Sequence, residues 1–131
     1  MIDFTSSNTQ LMLERSMQFG WTKQTAMLDN IVNGDTPGYK AKYVTFEEAL
    51  DSSIRSALHR TDRRMSTMRS AISRSQPVVH VAEDESMRMD DNGVNVAEQE
   101  LEATRNALQI QYTMDAINSN LSLMRTLIRG Q

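Results

Sequence analysis

The chain has 131 residues, enough for one ordinary domain, but only 39% are hydrophobic and 5% aromatic, so its apolar side chains must be concentrated on a few surfaces before a core can form. It has no cysteine and no apolar run near the ~20 residues that cross a bilayer, which excludes disulfides, thiolate metal sites and a membrane-spanning helix. The net charge of -3 averages opposed blocks: residues 44–75 carry 6 basic and 4 acidic groups, residues 76–102 carry 1 and 8.

Residues 1–10 lack the basic and apolar parts of a cleavable signal, so a chain that leaves the cytoplasm would do so by another route. From about residue 7 to residue 31 the apolar positions follow a helical period. Leu13, Met17, Gly20, Met27 and Ile31 recur at alternating steps of 4 and 3 when Gln24 fills the place between, and Leu11, Trp21 and Leu28 widen the stripe. The pattern predicts an amphipathic helix capped by a Ser or Asn at positions 6–8 and stopped by Gly34 in the left-handed conformation. Gln10 and Gln24 interrupt the stripe and are placed to fix register against a partner.

At residues 29–42 the helical pattern gives way to a different kind of chain. Thr36-Pro37-Gly38-Tyr39 puts Pro at the second and Gly at the third position of a type II turn. Beyond it, Thr45-Phe46-Glu47-Glu48 is a capping signal for a short helix reaching Leu58, with Phe46, Ala49, Leu50, Ala57 and Leu58 on its apolar side. Residues 59–76 are rich in Arg, Ser and Thr; they bury too little apolar surface to offset their ordering entropy and are expected to be mobile in a free monomer. Residues 77–81 read as a short strand, residues 87–89 as its partner in a small hairpin, and residues 91–93 as a turn.

The C-terminal segment has the clearest pattern. Ala103, Ala107, Ile110, Met114, Ile117, Leu121, Met124 and Ile128 recur at steps of 4, 3, 4, 3, 4, 3 and 4, a heptad seam. Asn95 with Glu98 forms a capping arrangement at its start, acids near the first turn and Arg125 and Arg129 near the last complement the helix dipole, and a seam this long must meet another helix. The fold class is therefore mainly α: long N- and C-terminal helices paired as an antiparallel coiled coil, with an irregular middle holding a short helix and a small β-hairpin. Three regions follow: residues 1–34, an N-terminal helix; 35–94, the turn and a variable middle; 95–131, the heptad helix.

No residue set points to catalysis. His59 and His80, the only histidines, stand 21 residues apart and lack a second ligand at helical spacing. Asp90-x-Asn92-Gly93 matches part of a calcium loop, but alignment on that glycine puts Arg88 at the first ligand position and Gln99 at the twelfth. Six arginines between Arg55 and Arg74 lack interleaved aromatics, so a solvated face or contact with an acidic subunit outweighs nucleic-acid binding. Ten methionines, several on the helix stripes, suit either seam filling or an adaptable binding surface. The reading is a non-enzymatic chain with no cofactor and no metal.

The string Asn30-Ile31-x-Asn33-x-x-Thr36-Pro37-Gly38-Tyr39-Lys40, about thirty residues from the start and followed at a distance by a heptad helix at the end of the sequence, resembles the flagellar rod and hook family of axial proteins, and within it the proximal rod members. The resemblance covers about 45 residues at the front and about 37 at the back, and Tyr112 fits a mid-helix tyrosine of that family; Val32 and Gly34 stand where the family often has alanine. It implies a structural subunit of the basal-body rod in the periplasm, exported by the flagellar type III apparatus without a cleaved signal. The implied partners are further copies, other rod proteins, and the rod-to-ring adaptor and MS ring below, with no nucleic acid and no membrane insertion. The two terminal helices would form the inner tube of a hollow drive shaft, and the turn would set the angle between the first helix and the segment after it. The rival readings are a neighbouring rod paralogue and a soluble helical adaptor or chaperone.

Overall fold

The computed structural model describes residues 8–46, 50, 52, 55, 65–82 and 93–130. Its frame is two long helices, α1 (Asn8–Val32) and α3 (Val96–Arg129), with strand β1 (Lys42–Thr45), helix α2 (Met65–Arg74) and strand β2 (Val78–Val81) between them. Gln10 is bonded to Asn120, Gln24 to Asn106 and Asn30 to Gln99. Positions that rise along α1 fall along α3, so the two helices are antiparallel. At 1.5 Å per residue α3 is about 51 Å long and α1 about 37 Å, so the last turns of α3 run past Asn8.

The start of α3 is capped as its sequence predicts, and its end is closed by a glycine that the sequence reading did not single out. The Asn95 side chain accepts from the Glu98 backbone N–H at 3.4 Å, and Gly130, in the left-handed region at φ 68, donates its N–H to the Thr126 carbonyl at 3.1 Å. The helices approach closely at Gly20, where a Cβ would stand 2.7 Å from Cγ1 of Ile110. Among the described residues, the buried apolar ones are few and mostly small or medium: Ala26, Met27, Phe46, Ile72, Val94 and Ala103.

β1 and β2 pair antiparallel in the register Lys42↔Val81, Tyr43↔His80, Val44↔Val79 and Thr45↔Val78. Phe46, directly after β1, stacks on Phe19 of α1 at 5.2 Å between ring centroids. α2 buries Ile72 and is tied to α1 by Arg15, which donates to the Ser73 carbonyl at 2.8 Å, a cation at the negative end of a helix.

Three expectations change. The 59–76 run, expected to be mobile, contains α2 from Met65 onward, because Ile72 and the Arg15 contact supply what the local composition lacks. The 77–81 strand is present from Val78, but its partner is β1; the proposed partner at 87–89 lies outside the described residues. Of the short helix expected from the 45–48 signal, Thr45 belongs to β1, Leu50, Ser52 and Arg55 are helical, and the rest lies outside the described residues.

Gly34 also differs from its expected role. The glycines at positive φ are Gly38 and Gly130, so Gly34 does not end α1 in the left-handed conformation. It is buried, its N–H bonds to the Ile31 carbonyl at 3.1 Å, and a Cβ there would collide with Cγ2 of Val96 at the start of α3. Glycine at this position makes room for the other helix. Gly34→Ala is therefore expected to destabilise the chain by about 1–3 kcal/mol through overpacking. Adding Val96→Ala should recover most of that loss in a denaturant melt; equal loss in the single and double variants would contradict the account.

Candidate functional site

The turn and the two helices meet on one side chain. Asn30 is 0% exposed, and its amide is fully engaged. Its Oδ1 accepts from the Lys42 backbone N–H at 2.8 Å and from the Tyr39 hydroxyl at 3.3 Å; its Nδ2 donates to the Lys42 carbonyl at 2.7 Å and to Oε1 of Gln99 at 3.0 Å. The sheet explains why such a group is needed. Ala82 donates to the Ala41 carbonyl at 2.9 Å, which makes 41 and 82 a bonded pair and leaves the next pair, Lys42 and Val81, unbonded to each other. The N–H and C=O of Lys42 then point away from β2, and the Asn30 amide receives both as a neighbouring strand would.

The other turn residues build the path back to that amide. Asn33 donates from Nδ2 to the Asp29 carbonyl at 2.8 Å, and its Oδ1 accepts from the Thr36 hydroxyl at 3.3 Å. Tyr39 donates its N–H to the Thr36 carbonyl at 3.3 Å, and Gly38 at the third position has φ 70, so the 36–39 segment has the hydrogen bond and glycine conformation of the expected type II turn. Pro37 and Gly38 form its exposed tip, while Ile31 and Lys40 are half-buried on either side. The Tyr39 carbonyl accepts from Gly93 at 3.2 Å, tying the turn to the residues just before α3. Lys42 also forms a 2.9 Å ion pair with Asp29. The hydrogen bond to Asp29, then the charges of Tyr39 and Asp29, raise its pKa above 10.5. The pair's contribution is thus complete below pH 10.5 and is lost as pH rises through the higher folded-state value.

On the helices, the surface that faces α1 differs from the heptad seam. Ala103, Ile110, Ile117 and Met124 lie on the α1 side, buried or half-buried. The positions that alternate with them are Gln99, Asn106, Thr113 and Asn120. Asn106 donates to the Gly20 carbonyl at 2.9 Å and to Oε1 of Gln24 at 2.8 Å, and Asn120 donates to Oε1 of Gln10 at 2.9 Å. Of the residues the seam placed there instead, Ala107, Met114 and Ile128 are exposed, Ile128 at 85%, and Leu121 is half-buried. On α1 the narrow stripe is covered, with Gly20 and Met27 buried and Leu11, Leu13, Met17, Gln24 and Ile31 half-buried, but Trp21 and Leu28, which were expected to widen it, are exposed because they lie off the line that faces α3. Lys42, Gln99, Asn106 and Asn120 were not singled out from the sequence. The 7-residue spacing of polar side chains at 99, 106, 113 and 120 was the available signal.

The far side of α3 holds several large apolar residues in the open. Leu101, Leu108, Tyr112, Leu123 and Leu127 are all more than half exposed, Tyr112 at 73%. Among the described residues no group of three or more His, Asp or Glu could hold a metal ion, and no helix is long and apolar enough to cross a membrane. This geometry suits a chain that is held in shape by amides and presents helix faces to other proteins.

Asn30→Ala would leave the N–H and C=O of Lys42 without their partner, and a loss of about 2–4 kcal/mol is expected by denaturant melting. Asn30→Asp keeps the acceptor, removes the donor and buries a charge. Burial raises the folded-state pKa of that carboxyl, so its deficit relative to the parent chain should be full near pH 7 and shrink as pH falls and the carboxyl takes up a proton. A deficit that does not change with pH would contradict this assignment.

No family model matches the chain. It is 30% identical over 125 residues to the flagellar basal body rod protein FlgB of Bacillus subtilis (strain 168), covering 95% of each chain. It is 27% identical over 111 residues to the flagellar basal body rod protein FlgB of Cereibacter sphaeroides (strain ATCC 17029 / ATH 2.4.9), covering 84% of this chain and 85% of that one. At this identity over nearly the whole of both sequences, the chain belongs to the FlgB family of flagellar basal body rod proteins.

Proposed function

We propose that the chain is a structural subunit of the proximal rod, self- and hetero-assembling through α1 and α3 into the wall of a hollow shaft that transmits torque. The observation that carries this reading is the large apolar surface that α3 leaves uncovered. The α1 side of this helix holds Asn106 and Asn120, and its far side carries Leu101, Leu108, Tyr112, Leu123 and Leu127 in the open. Five large apolar side chains along one helix face are a surface awaiting cover.

Further copies and other rod proteins supply that cover in this reading. A contact between different faces of neighbouring subunits repeats without closing on itself and generates a helical array, and a following subunit type ends its growth. Residues 1–34 and 95–131 form the inner tube, and residues 35–94 lie outside it. The turn sets the angle at which that outer segment leaves α1, and long packed helices give the shaft its stiffness. Delivery through the flagellar type III apparatus, and seating on the rod-to-ring adaptor and MS ring, complete the assignment.

Leu108 is exposed in the single chain, so Leu108→Glu should leave folding within about 0.5 kcal/mol of the parent. In a strain whose only copy carries the change, the swimming halo should fall to that of a strain lacking the gene. Unchanged helicity and melting with lost motility is the expected pair of results; a parental halo would overturn the role of this face.

A further inference from the structure

The two edges of the β1–β2 ribbon differ. On β1 the Asn30 amide takes the outward N–H and C=O of Lys42. On β2 the same alternation makes Lys42 with Val81 and Val44 with Val79 the pairs that are not bonded to each other, so the N–H and C=O of Val79 and Val81 point away from β1. No described residue receives them. Positions 79–81 carry no proline, lysine or bulge to guard the edge, and Val79 and Val81 are half exposed. A ribbon of two strands is marginal alone, and this one has an unfilled side.

The free groups lie symmetrically about His80. A second β2 laid antiparallel on this edge, with His80 opposite the partner's His80, sets Val79 against the partner's Val81 and Val81 against the partner's Val79, and each of these pairs exchanges both N–H···O bonds. The two His80 then form the unbonded pair at the centre, about 4.5 Å apart at Cα. Tyr43 already stacks on His80 at 5.1 Å between ring centroids, so the rings of both copies make one row across the sheet. On the other face the exposed valines become cross-strand pairs. Charge favours the same direction: in the sequence β2 is preceded by Arg74 and followed by Glu83, Asp84 and Glu85. Antiparallel strands bring opposite flanks together, whereas parallel strands bring like charges together.

We propose that the outer edge of β2 is a twofold docking site for the β2 of a second copy, centred on His80, which joins the two ribbons into a four-stranded sheet. Such a contact uses the same patch on both copies and closes on itself, unlike the repeating contact of a helical array. It belongs to a pair of free chains and does not rest on the rod assignment.

The chain has no cysteine, so single introduced thiols report the register. His80→Cys puts two thiols at the centre, within the Cα separation that a disulfide spans, whereas Val78→Cys puts them about 14 Å apart. In the purified full chain treated with diamide, His80→Cys should form a disulfide-linked dimer at least ten-fold faster than Val78→Cys. The Val79 N–H takes no part in pairing with β1, so Val79→Pro removes an edge donor and leaves the ribbon intact. Added to His80→Cys, it should slow dimer formation at least five-fold with the helical circular dichroism unchanged. If that chain does not fold, Val81→Pro, whose N–H also points outward, makes the same comparison. Equal rates at positions 78 and 80 would overturn the proposal, because random collision or a parallel pair links both. A rate at position 80 that proline does not change would overturn it as well.

Discussion

The Asn30 amide is the constraint on which the rest of the structure depends, because it satisfies four groups from three separate parts of the chain at one buried point. It closes the outer edge of β1, receives the Tyr39 hydroxyl at the end of the turn and reaches Gln99 in the first turn of α3. Each of these groups would be orphaned if the others moved, and a buried polar group without a partner costs more than a satisfied one contributes. The local order of the turn, the place of the two-stranded sheet and the entry angle of α3 are thus settled together. Apolar burial cannot do this here: among the described residues the buried apolar ones are few, and two of them are alanines.

The same economy of apolar burial runs along the helix pair. Polar rungs between α1 and α3 make the pairing specific in direction and register without consuming the leucines. Those leucines remain on the outside of α3, together with Tyr112. A monomer designed only for its own stability would place them inward. The cost of leaving them out is coherent in a protein of the FlgB family if the final structure is an array and the single chain is one part of it. Close approach at Gly20 and Gly34 serves the same end, since both glycines let α3 lie against α1 and the turn.

Much of this was legible in the residues and some was not, for definite reasons. The two long helices, the Asn95 cap and the Pro37-Gly38 turn rest on local chemistry that acts within a few residues, so periodicity and capping rules find them. Asn30 was marked as part of a turn motif, but its role needs Lys42 and Gln99, and Gln99 is 69 residues away. The seam on α3 was displaced because a search for apolar spacing prefers Met114 to Thr113 and Leu121 to Asn120. That search ignores the acceptors on α1 that make the polar positions the better fit. Gly34 illustrates the same limit: local rules propose a left-handed helix stop, whereas its reason is Val96, brought there by tertiary packing. α2 was missed because the interactions that order it, at Arg15 and Ile72, are made with the rest of the fold.

The most direct test of the account is hydroxyl-radical footprinting of side chains in the free chain and in isolated basal bodies. The central claim is that amides hold the subunit together while the apolar faces of α3 wait for neighbours. It predicts heavy modification of Tyr112, Leu123 and Leu127 in the free chain and strong protection of all three in the basal body, with Met27 protected in both. Equal modification of the three in both states would show that nothing covers this face, and the account would be wrong.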